Sequence, residues 1–359
     1  SDDVAGILGQ IKEVYAQGDL DKAYELALIA LTLRMSSRQQ IRTYYQLARS
    51  RERNEPRVAI QYLDEALSLA LRQDDALAFA HLTARQGHLH YRQHSLVSAA
   101  DYFADALDAV HALSVSQTPV DAAFELDLLW GLATQHYHLT NHEEAFRCLR
   151  AARTVAPFAP DTHEMRRRAA SIEWTAALLQ RWRGRFDMAL AHALDAHERY
   201  ESQQLGTLAE RARLRILVAN VALDVVEGAI PPGTEANERI VTVEHHLFHA
   251  LAHSSAAEDR AAHMMALLAY VRYCRVSGAS FDRLGAIALV DAFGRETSDR
   301  LLQCQAQTAL GDELAFRHES EPALNAYRRA LDVIAKSDAA VMGHRAQQAL
   351  RRAYAERGS

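Results

Sequence analysis

One arrangement of small and apolar residues recurs along this chain. A small residue is followed four positions later by another small or apolar residue, and three positions after that by alanine. The triads are Ala23-Ala27-Ala30, Ala59-Leu63-Ala66, Ala99-Phe103-Ala106, Ala145-Leu149-Ala152, Ala189-Ala193-Ala196, Gly285-Leu289-Ala292 and Ala323-Tyr327-Ala330. Positions i, i+4 and i+7 share one face of an α-helix. Each triad therefore predicts a helix whose small side chains let a second helix approach closely.

A second helix is predicted before each triad, with a turn between the two. Gly87 lies twelve residues before Ala99, and Gly311 lies twelve residues before Ala323. Turn residues lie between this upstream helix and the triad of each unit. In the second unit, Pro56 suits the first turn of the helix that carries the Ala59 triad. The clearest turns are Gly18-Asp19, Asn54-Glu55-Pro56, Asn141-His142 and Gly184-Arg185. The repeating unit is thus a helix A, a tight turn and a helix B.

This unit resembles the tetratricopeptide repeat (TPR), whose signature is a Leu-Gly pair, an aromatic residue and then Ala-x3-Phe-x2-Ala. Residues 87–106 and 310–330 match the signature well. The usual TPR period is about 34 residues, whereas most triads here are 36 to 46 residues apart. Longer, irregular helices resemble the sensor segments of large bacterial TPR regulators, such as maltotriose activators and quorum-peptide receptors.

One gap of 96 residues separates Ala189 from Gly285, which predicts a degenerate unit between them. Its helix A is expected at 208–227 and its helix B at 235–253. The turn between them is Pro231-Pro232-Gly233, and the triad is Val243-Leu247-Ala250. The apolar run at 208–226 predicts either a buried central helix or a surface for homodimer formation.

The resemblance implies an all-α fold, namely a right-handed superhelical solenoid of about eight TPR-like helix-turn-helix units with a C-terminal capping helix. The units are expected near residues 4–34, 37–72, 76–113, 119–155, 162–202, 207–253, 258–295 and 299–336, in one array over 1–338. Residues 339–359 form the capping helix and tail, whose polar face would close the array. The candidate linkers at 114–118, 156–161 and 230–234 are too short to separate independent domains.

Composition narrows the classes of function. The formal net charge is −6, which does not favour general nucleic-acid binding. No apolar run reaches the roughly 18 residues that span a bilayer, and the N-terminal residues do not resemble a signal peptide. Cys148, Cys274 and Cys304 are far apart and are expected to be buried thiols. These features, together with only three lysines, predict a cytoplasmic, bacterial protein with no direct contact with nucleic acid or membrane.

The TPR resemblance also implies which positions face the concave side of the solenoid. They lie 18, 15, 11 and 8 residues before the first residue of each triad, and the residue after the last of these is also close to that side. All three tryptophans fall among these positions. The predicted contacts for a peptide or small ligand are Tyr44, Arg51, His88, Tyr91, Arg92, Trp130, Tyr137, His138, Trp174 and Arg181. Tyr15, His81, Asp127 and Trp182 fall at the same set of positions. Aromatic rings give contact area and arginine can bind a carboxylate, although each ring could instead pack between helices.

Other groups of residues indicate a metal-binding or catalytic site more weakly. His245, His249 and His253 share one helix face, and a pair four residues apart could chelate zinc. A catalytic zinc site would need a third ligand and a nearby base, so neither a metal nor another cofactor is predicted. The sequence has no phosphate-binding loop, no serine nucleophile elbow and no kinase motif.

The sequence therefore predicts a protein that binds a peptide, a protein or a small organic ligand in a concave groove and is not an enzyme. Such a module is typical of the sensor or oligomerisation part of a bacterial regulator, with the output domain outside this chain. The alternative is a stand-alone TPR scaffold or cochaperone that holds a partner's extended segment. A third class, an enzyme that uses the His245 row with a metal, would be indicated by stoichiometric zinc.

Overall fold

The structure is a computed structural model that describes residues 2–93, 95–115, 121–228, 234–335 and 343–358. These segments form seventeen α-helices and one short 3-10 helix at Ala156–Phe158, with no strand among them. The helices are α1 (Asp2–Ala16), α2 (Leu20–Leu31), α3 (Ser37–Arg51), α4 (Pro56–Arg72), α5 (Ala76–Arg92), α6 (Leu96–Val115), α7 (Ala122–His138), α8 (His142–Val155), α9 (His163–Trp182), α10 (Phe186–Ser202), α11 (Leu208–Gly228), α12 (Thr234–Ala256), α13 (Arg260–Ser277), α14 (Arg283–Glu296), α15 (Arg300–Phe316), α16 (Ser320–Ile334) and α17 (His344–Gly358). The all-α prediction is confirmed.

The chain folds as two compact units, Ser1–Gln135 and His136–Ser359. Their boundary falls inside α7 and not in any of the three candidate linkers. Within each unit, consecutive helices pack in pairs: α1 with α2, α3 with α4 and α5 with α6 in the first, and α9 with α10, α11 with α12 and α15 with α16 in the second. Each unit is therefore a stack of helical hairpins, as the repeat predicts.

Aspartate side chains begin many of these helices. In five of them the carboxylate precedes the helix and accepts a hydrogen bond from the backbone N–H three residues later. The five are Asp19, Asp75, Asp259, Asp282 and Asp299. Such a cap satisfies an N–H group that has no partner inside the helix, and it typically stabilises a protein by about 1 kcal/mol.

The recurring triads form the buried face of each helix B. Every side chain is at most 3% exposed in Ala23-Ala27-Ala30, Ala59-Leu63-Ala66, Ala99-Phe103-Ala106, Ala145-Leu149-Ala152, Ala189-Ala193-Ala196, Val243-Leu247-Ala250 and Ala323-Tyr327-Ala330. The upstream glycines lie against the large residues of these triads. A Cβ on Gly87 would lie 3.1 Å from the Phe103 ring, and one on Gly131 would lie 3.3 Å from it. Because both positions are glycine, α5 and α7 can both pack closely against the Phe103 ring of α6.

One predicted triad, Gly285-Leu289-Ala292, is wrong. Leu289 is 55% exposed, and Gly285 lies in the first turn of α14, where its N–H donates to Asp282 at 3.0 Å. The buried triad is shifted by one residue and consists of Ala286, Val290 and Phe293. Both sets have the i, i+4, i+7 spacing, so the spacing alone cannot choose between them. The larger apolar area of valine and phenylalanine decides which face is buried.

The apolar run at 208–226 belongs to a helix that is buried on two faces. Leu214 and Val218 of α11 join a core cluster with α9 and α10. Ile216 and Leu223 join a second cluster with α12 and α13. The helix therefore needs apolar residues nearly all round, and the interpretation of the run as a central buried helix is confirmed.

Several sequence predictions fall on residues that the structure does not describe. They are the turn Pro231-Pro232-Gly233, most of the linkers 114–118 and 230–234, and the beginning of the region 339–359. Of the cysteines, Cys274 and Cys304 are buried and Cys148 is half-buried, and all three are free thiols. Among the described residues, no helix is both long and apolar enough to cross a membrane.

Candidate functional site

The first unit carries a groove of about 440 Å³ on α3, α5 and α7. These are helices that the sequence analysis assigns as the A helices of three successive units. The groove is lined by Ile41, Arg42, Tyr45, Ala78, His81, Leu82, Ala84, Arg85, His88, Phe124 and Asp127. Its wall thus combines aromatic rings and imidazoles with two arginines and one carboxylate.

Two contacts between α5 and α7 fix the histidines of the groove. The His81 ring stacks on Phe124, with 4.0 Å between ring centroids. The Nε2 atom of His88 lies 3.3 Å from Oδ2 of Asp127. Burial lowers the pKa of His81, and the nearby carboxylate of Asp121 opposes this effect only in part. His81 is therefore a neutral, flat ring at pH 7, with polar edges that can donate or accept a hydrogen bond.

The two arginines of the groove differ in their surroundings. Arg85 forms an ion pair with Glu52, so its charge is compensated within the protein. Arg42 is exposed, and no carboxylate lies within ion-pair distance of it among the residues that the structure describes. Its guanidinium is therefore the cationic group of the groove that remains open to a ligand.

The groove overlaps the predicted concave face but extends about one helical turn further towards the N-termini of α5 and α7. His88 is the member of the predicted contact set that lines it, and His81 and Asp127 were placed on the same face. Phe124 and Tyr45 were missed. Ala78, His81, Arg85 and His88 have the spacing i, i+3, i+7 and i+10, so following the helix face one turn further would have found this region.

Other predicted contacts in the first unit have partners inside the protein. The Tyr44 ring packs 6.3 Å from that of Tyr62, within two core clusters. Arg51 donates to Asp21 at 3.0 Å and covers the ring of Tyr24. A ligand would compete with these contacts.

The remaining three predicted contacts of the first unit differ in accessibility. Arg92 lies 3.5 Å from a carboxylate oxygen of Glu52. Tyr91 is 37% exposed, and Trp130 is half-buried. Ligand binding by these residues stays a prediction.

Tyr137, His138, Trp174 and Arg181 belong to the second unit. Trp174 packs against a core cluster, with its ring 6.2 Å from that of Tyr200. The Nε atom of Arg181 donates to Oδ2 of Asp224 at 2.5 Å. The predicted set is thus divided, with six residues in the first unit and four in the second, and a ligand role for the four in the second unit also stays a prediction.

The histidine row of α12 is a second polar cluster in the second unit. The rings of His245 and His249 are 4.5 Å apart, and His249 lies 6.1 Å from His253. His246 points inwards, 4.9 Å from His197 of α10. In the part of the chain that the structure describes, no three histidine, cysteine or acidic side chains are placed to hold a metal ion.

No protein-family model matches this sequence, and no curated protein matches it either. The fold is nevertheless similar to solved structures. The apo quorum sensor NprR from B. thuringiensis has a TM-score of 0.65 and 12% identity, over 92% of this chain and 87% of that one. A Rap protein in complex with competence and sporulation factor has a TM-score of 0.56 and 13% identity, over 99% and 98%. Aspartyl phosphate phosphatase F from Bacillus subtilis has a TM-score of 0.51 and 10% identity, over 99% and 94%.

These similarities define the class of fold. The protein has a TPR-like fold, in which α-helices pack pairwise in a repeating arrangement, as the sequence resemblance predicts. Its more particular likeness is to the Rap and NprR structures, and at 10–13% identity this likeness is one of fold.

Proposed function

We propose that this chain is a ligand-binding TPR module whose groove on α3, α5 and α7 takes a peptide or a small organic molecule with an acidic group. The module would be the sensor or oligomerisation part of a cytoplasmic bacterial regulator. The observation that carries the proposal is the composition of the groove, in which the exposed guanidinium of Arg42 lies beside stacked rings.

The physical properties of the groove suit such a ligand. A volume of about 440 Å³ is within the range of roughly 300–1,000 Å³ that is common for small-molecule sites. Tyr45, Phe124 and His81 supply flat surface at little entropic cost. Arg42 can bind a carboxylate with charge-assisted hydrogen bonds. The neutral edges of His81 can add directional hydrogen bonds, which would fix the orientation of the ligand.

The names of the structures with a similar fold support a sensor. NprR is named as a quorum sensor, and the Rap protein was solved in complex with competence and sporulation factor. The proposal includes no catalysed reaction. Aspartyl phosphate phosphatase F also has a similar fold, but a shared fold carries no reaction without a matching site. The alternative, a scaffold that holds a whole partner protein, predicts a different bound mass.

Native mass spectrometry of the protein recovered gently from the cytosol of cells that produce it would test the proposal. Arg42→Glu reverses the charge in the groove, whereas Arg57→Glu makes the same change at an exposed position of α4 outside it. We expect the wild type and Arg57→Glu to carry a bound mass of a few hundred to a few thousand daltons. In Arg42→Glu the fraction of protein that carries this mass should fall by about tenfold or more, because a charge-assisted hydrogen bond contributes roughly 1.5–3 kcal/mol.

Two results would contradict the sensor proposal. Equal retention of the bound mass by both variants, at unchanged helicity, would show that the ligand does not use the groove. A chain that carries only a whole protein, or only a second copy of itself, would favour the scaffold instead.

A further inference from the structure

A group of histidines and arginines lies where α10 and α12 pack against α11 in the second unit. On α12, His246, His249 and His253 have the spacing i, i+3 and i+7 and therefore share one helix face. The ring of His246 lies 4.9 Å from that of His197 on α10, and the ring of His253 lies 6.1 Å from that of His249. The group consists of His197 and Glu201 of α10, Arg211 and Arg215 of α11, and His246 and His253 of α12, and we call it the histidine–arginine cluster.

Buried nitrogen atoms of this cluster have no hydrogen-bond partner among the described residues. They are Nε2 of His197, Nε of Arg211, Nε of Arg215, and Nδ1 of both His246 and His253. Arg215 and His246 are only 8% and 6% exposed. An arginine Nε always carries a hydrogen, and an imidazole nitrogen carries one in one of its two neutral forms. Because an unpaired buried donor is unfavourable, the cluster is suited to donate to an acceptor from outside these helices.

The charge of the cluster is positive. The Nη2 atom of Arg215 donates to Oε1 of Glu201 at 2.9 Å, so this carboxylate compensates one guanidinium. The Nε2 atom of His197 lies 3.7 Å from the same oxygen. Arg211 has no carboxylate within ion-pair distance in the part of the chain that the structure describes. Two arginines and one carboxylate therefore leave one positive charge in excess, even with every imidazole neutral.

This charge decides between two kinds of ligand. Imidazoles on one helix face can bind a metal ion, but the two guanidinium groups would repel a cation. An oxyanion would be attracted by them and would accept hydrogen bonds from the unpaired nitrogens. Burial and the positive charges of Arg215 and Arg211, against the effect of Glu201, lower the pKa of His253. Both guanidinium groups therefore act on the face of α12 that carries the imidazoles.

The directions of the donors favour phosphate over other oxyanions. The unpaired nitrogens belong to three different helices, so they approach from different sides. A phosphate group offers three strong acceptor oxygens and a charge of about −1.5 to −2 at pH 7. A carboxylate offers two oxygens in one plane and a single charge. A phosphate group can therefore use more of these donors at once.

We propose that the histidine–arginine cluster binds a phosphate group, carried either by free phosphate or by a small phosphate monoester. Arg211 and Arg215 supply charge-assisted hydrogen bonds from α11, and His246 and His253 donate from α12. The side chain of Glu201 is 31% exposed, so solvent and a small ligand reach the cluster on that side. The bound group would join three helices and stabilise the second unit. All these residues lie in 136–359, so the site is independent of the groove in the first unit.

Isothermal titration calorimetry of the full-length protein with inorganic phosphate, at pH 7 and constant ionic strength, would test the site. Arg211→Gln/His253→Gln removes one charge and one imidazole donor at half-buried positions. Arg213→Gln/His163→Gln is the matched control, since it makes the same two changes at exposed positions outside the cluster. Circular dichroism should show unchanged helicity in both variants.

We expect the wild type and the control to bind phosphate equally, and Arg211→Gln/His253→Gln to bind it at least tenfold more weakly, because two of the donors are lost. Equal affinity of all three proteins, or no binding of phosphate by the wild type, would overturn the proposal. Stoichiometric binding of Zn²⁺ without binding of phosphate would also overturn it, in favour of a metal site.

Nuclear magnetic resonance of the wild type tests the location without relying on a variant fold. Phosphate should shift the Cε1–H resonances of His246 and His253, assigned by single His→Gln substitutions, and leave that of His163 unchanged. Shifts of all three to the same extent would contradict binding at the cluster. Phenyl phosphate distinguishes the two sources: affinity equal to that of inorganic phosphate supports a monoester ligand, and affinity at least tenfold lower supports free phosphate.

Discussion

Two buried histidines of the second unit should make its stability depend on pH. His142 and His246 are 5% and 6% exposed. Burial, together with the positive charge of His344, lowers the pKa of His142 to about 4. Burial and the neighbouring His197 and Arg215 lower that of His246 to about 3. In the unfolded chain both imidazoles protonate near pH 6.5. Below that pH the unfolded state binds more protons, so stability falls as the pH falls.

The size of the effect follows from these pKa values. One pKa unit corresponds to about 1.4 kcal/mol. At pH 5 an unfolded histidine is about 1.5 units below its pKa, while both folded histidines are still neutral. Each histidine should therefore cost about 2 kcal/mol between pH 7 and pH 5, or about 4 kcal/mol together. We compare pH 7 with pH 5 because protonation of Asp224 would add to the loss of stability at lower pH. The positive charges of Arg181 and Arg272 outweigh the effect of burial and hold the pKa of Asp224 at about 2. That carboxylate therefore loses its stabilising effect only below about pH 4.

Urea unfolding followed by tryptophan fluorescence can measure this loss. A Trp130→Phe background leaves Trp174 and Trp182, so the signal reports the second unit. His246→Gln removes one titrating group and should reduce the difference in free energy of unfolding between pH 7 and pH 5 by about 2 kcal/mol. His163→Gln, at an exposed position at the start of α9, should leave the difference unchanged.

The reasoning would be refuted by a free energy of unfolding that is the same at both pH values. It would also be refuted if His246→Gln and His163→Gln depended on pH to the same extent. Either result would mean that the buried imidazoles accept protons in the folded state.

Two substitutions test the packing of the last repeat. Gly311→Ala would place a Cβ closer than van der Waals contact to the Tyr327 ring, and it should destabilise the protein by about 1–3 kcal/mol. Gly6→Ala is the control, because nothing lies within 4 Å of the added Cβ, and it should not lower the midpoint of thermal unfolding. Glu313 is fully buried between two arginines, so Glu313→Gln should cost about 2–3 kcal/mol in urea unfolding. Equal midpoints for Glu313→Gln and the exposed control Glu319→Gln would argue against that ion-pair assignment.

The sequence predicts helices and buried faces well because burial is recorded in the spacing of small and apolar residues. Seven triads, including the degenerate Val243-Leu247-Ala250, are buried as expected. The triad at Gly285 fails because a neighbouring register has the same spacing and a larger apolar area. The apolar run in α11 is ambiguous in sequence, since a helix packed on both faces and a helix at an interface show the same composition.

The polar contacts were less predictable, because a sequence does not state which distant side chains pair. Arg51 is a predicted ligand contact, and the sequence does not indicate that it also pairs with Asp21 of another helix. The TPR register misses Arg42 because this residue lies 17 residues before Ala59, next to and not at a position of the register. The sequence analysis predicts a capping helix with a polar face within 339–359, and only the fold shows that Arg345 in this helix contacts Asp312.

The ring of Phe103 has a consequence for the width of the ligand groove. It touches glycine on α5 at one edge and glycine on α7 at another, and those two helices also carry His81, His88 and Phe124. The ring acts as a spacer between the two walls, so the distance that a ligand must span is set by a side chain that the ligand never meets. Changing the size of this one buried residue would therefore change the distance between α5 and α7, and with it the width of the groove, without substituting any residue that contacts the ligand.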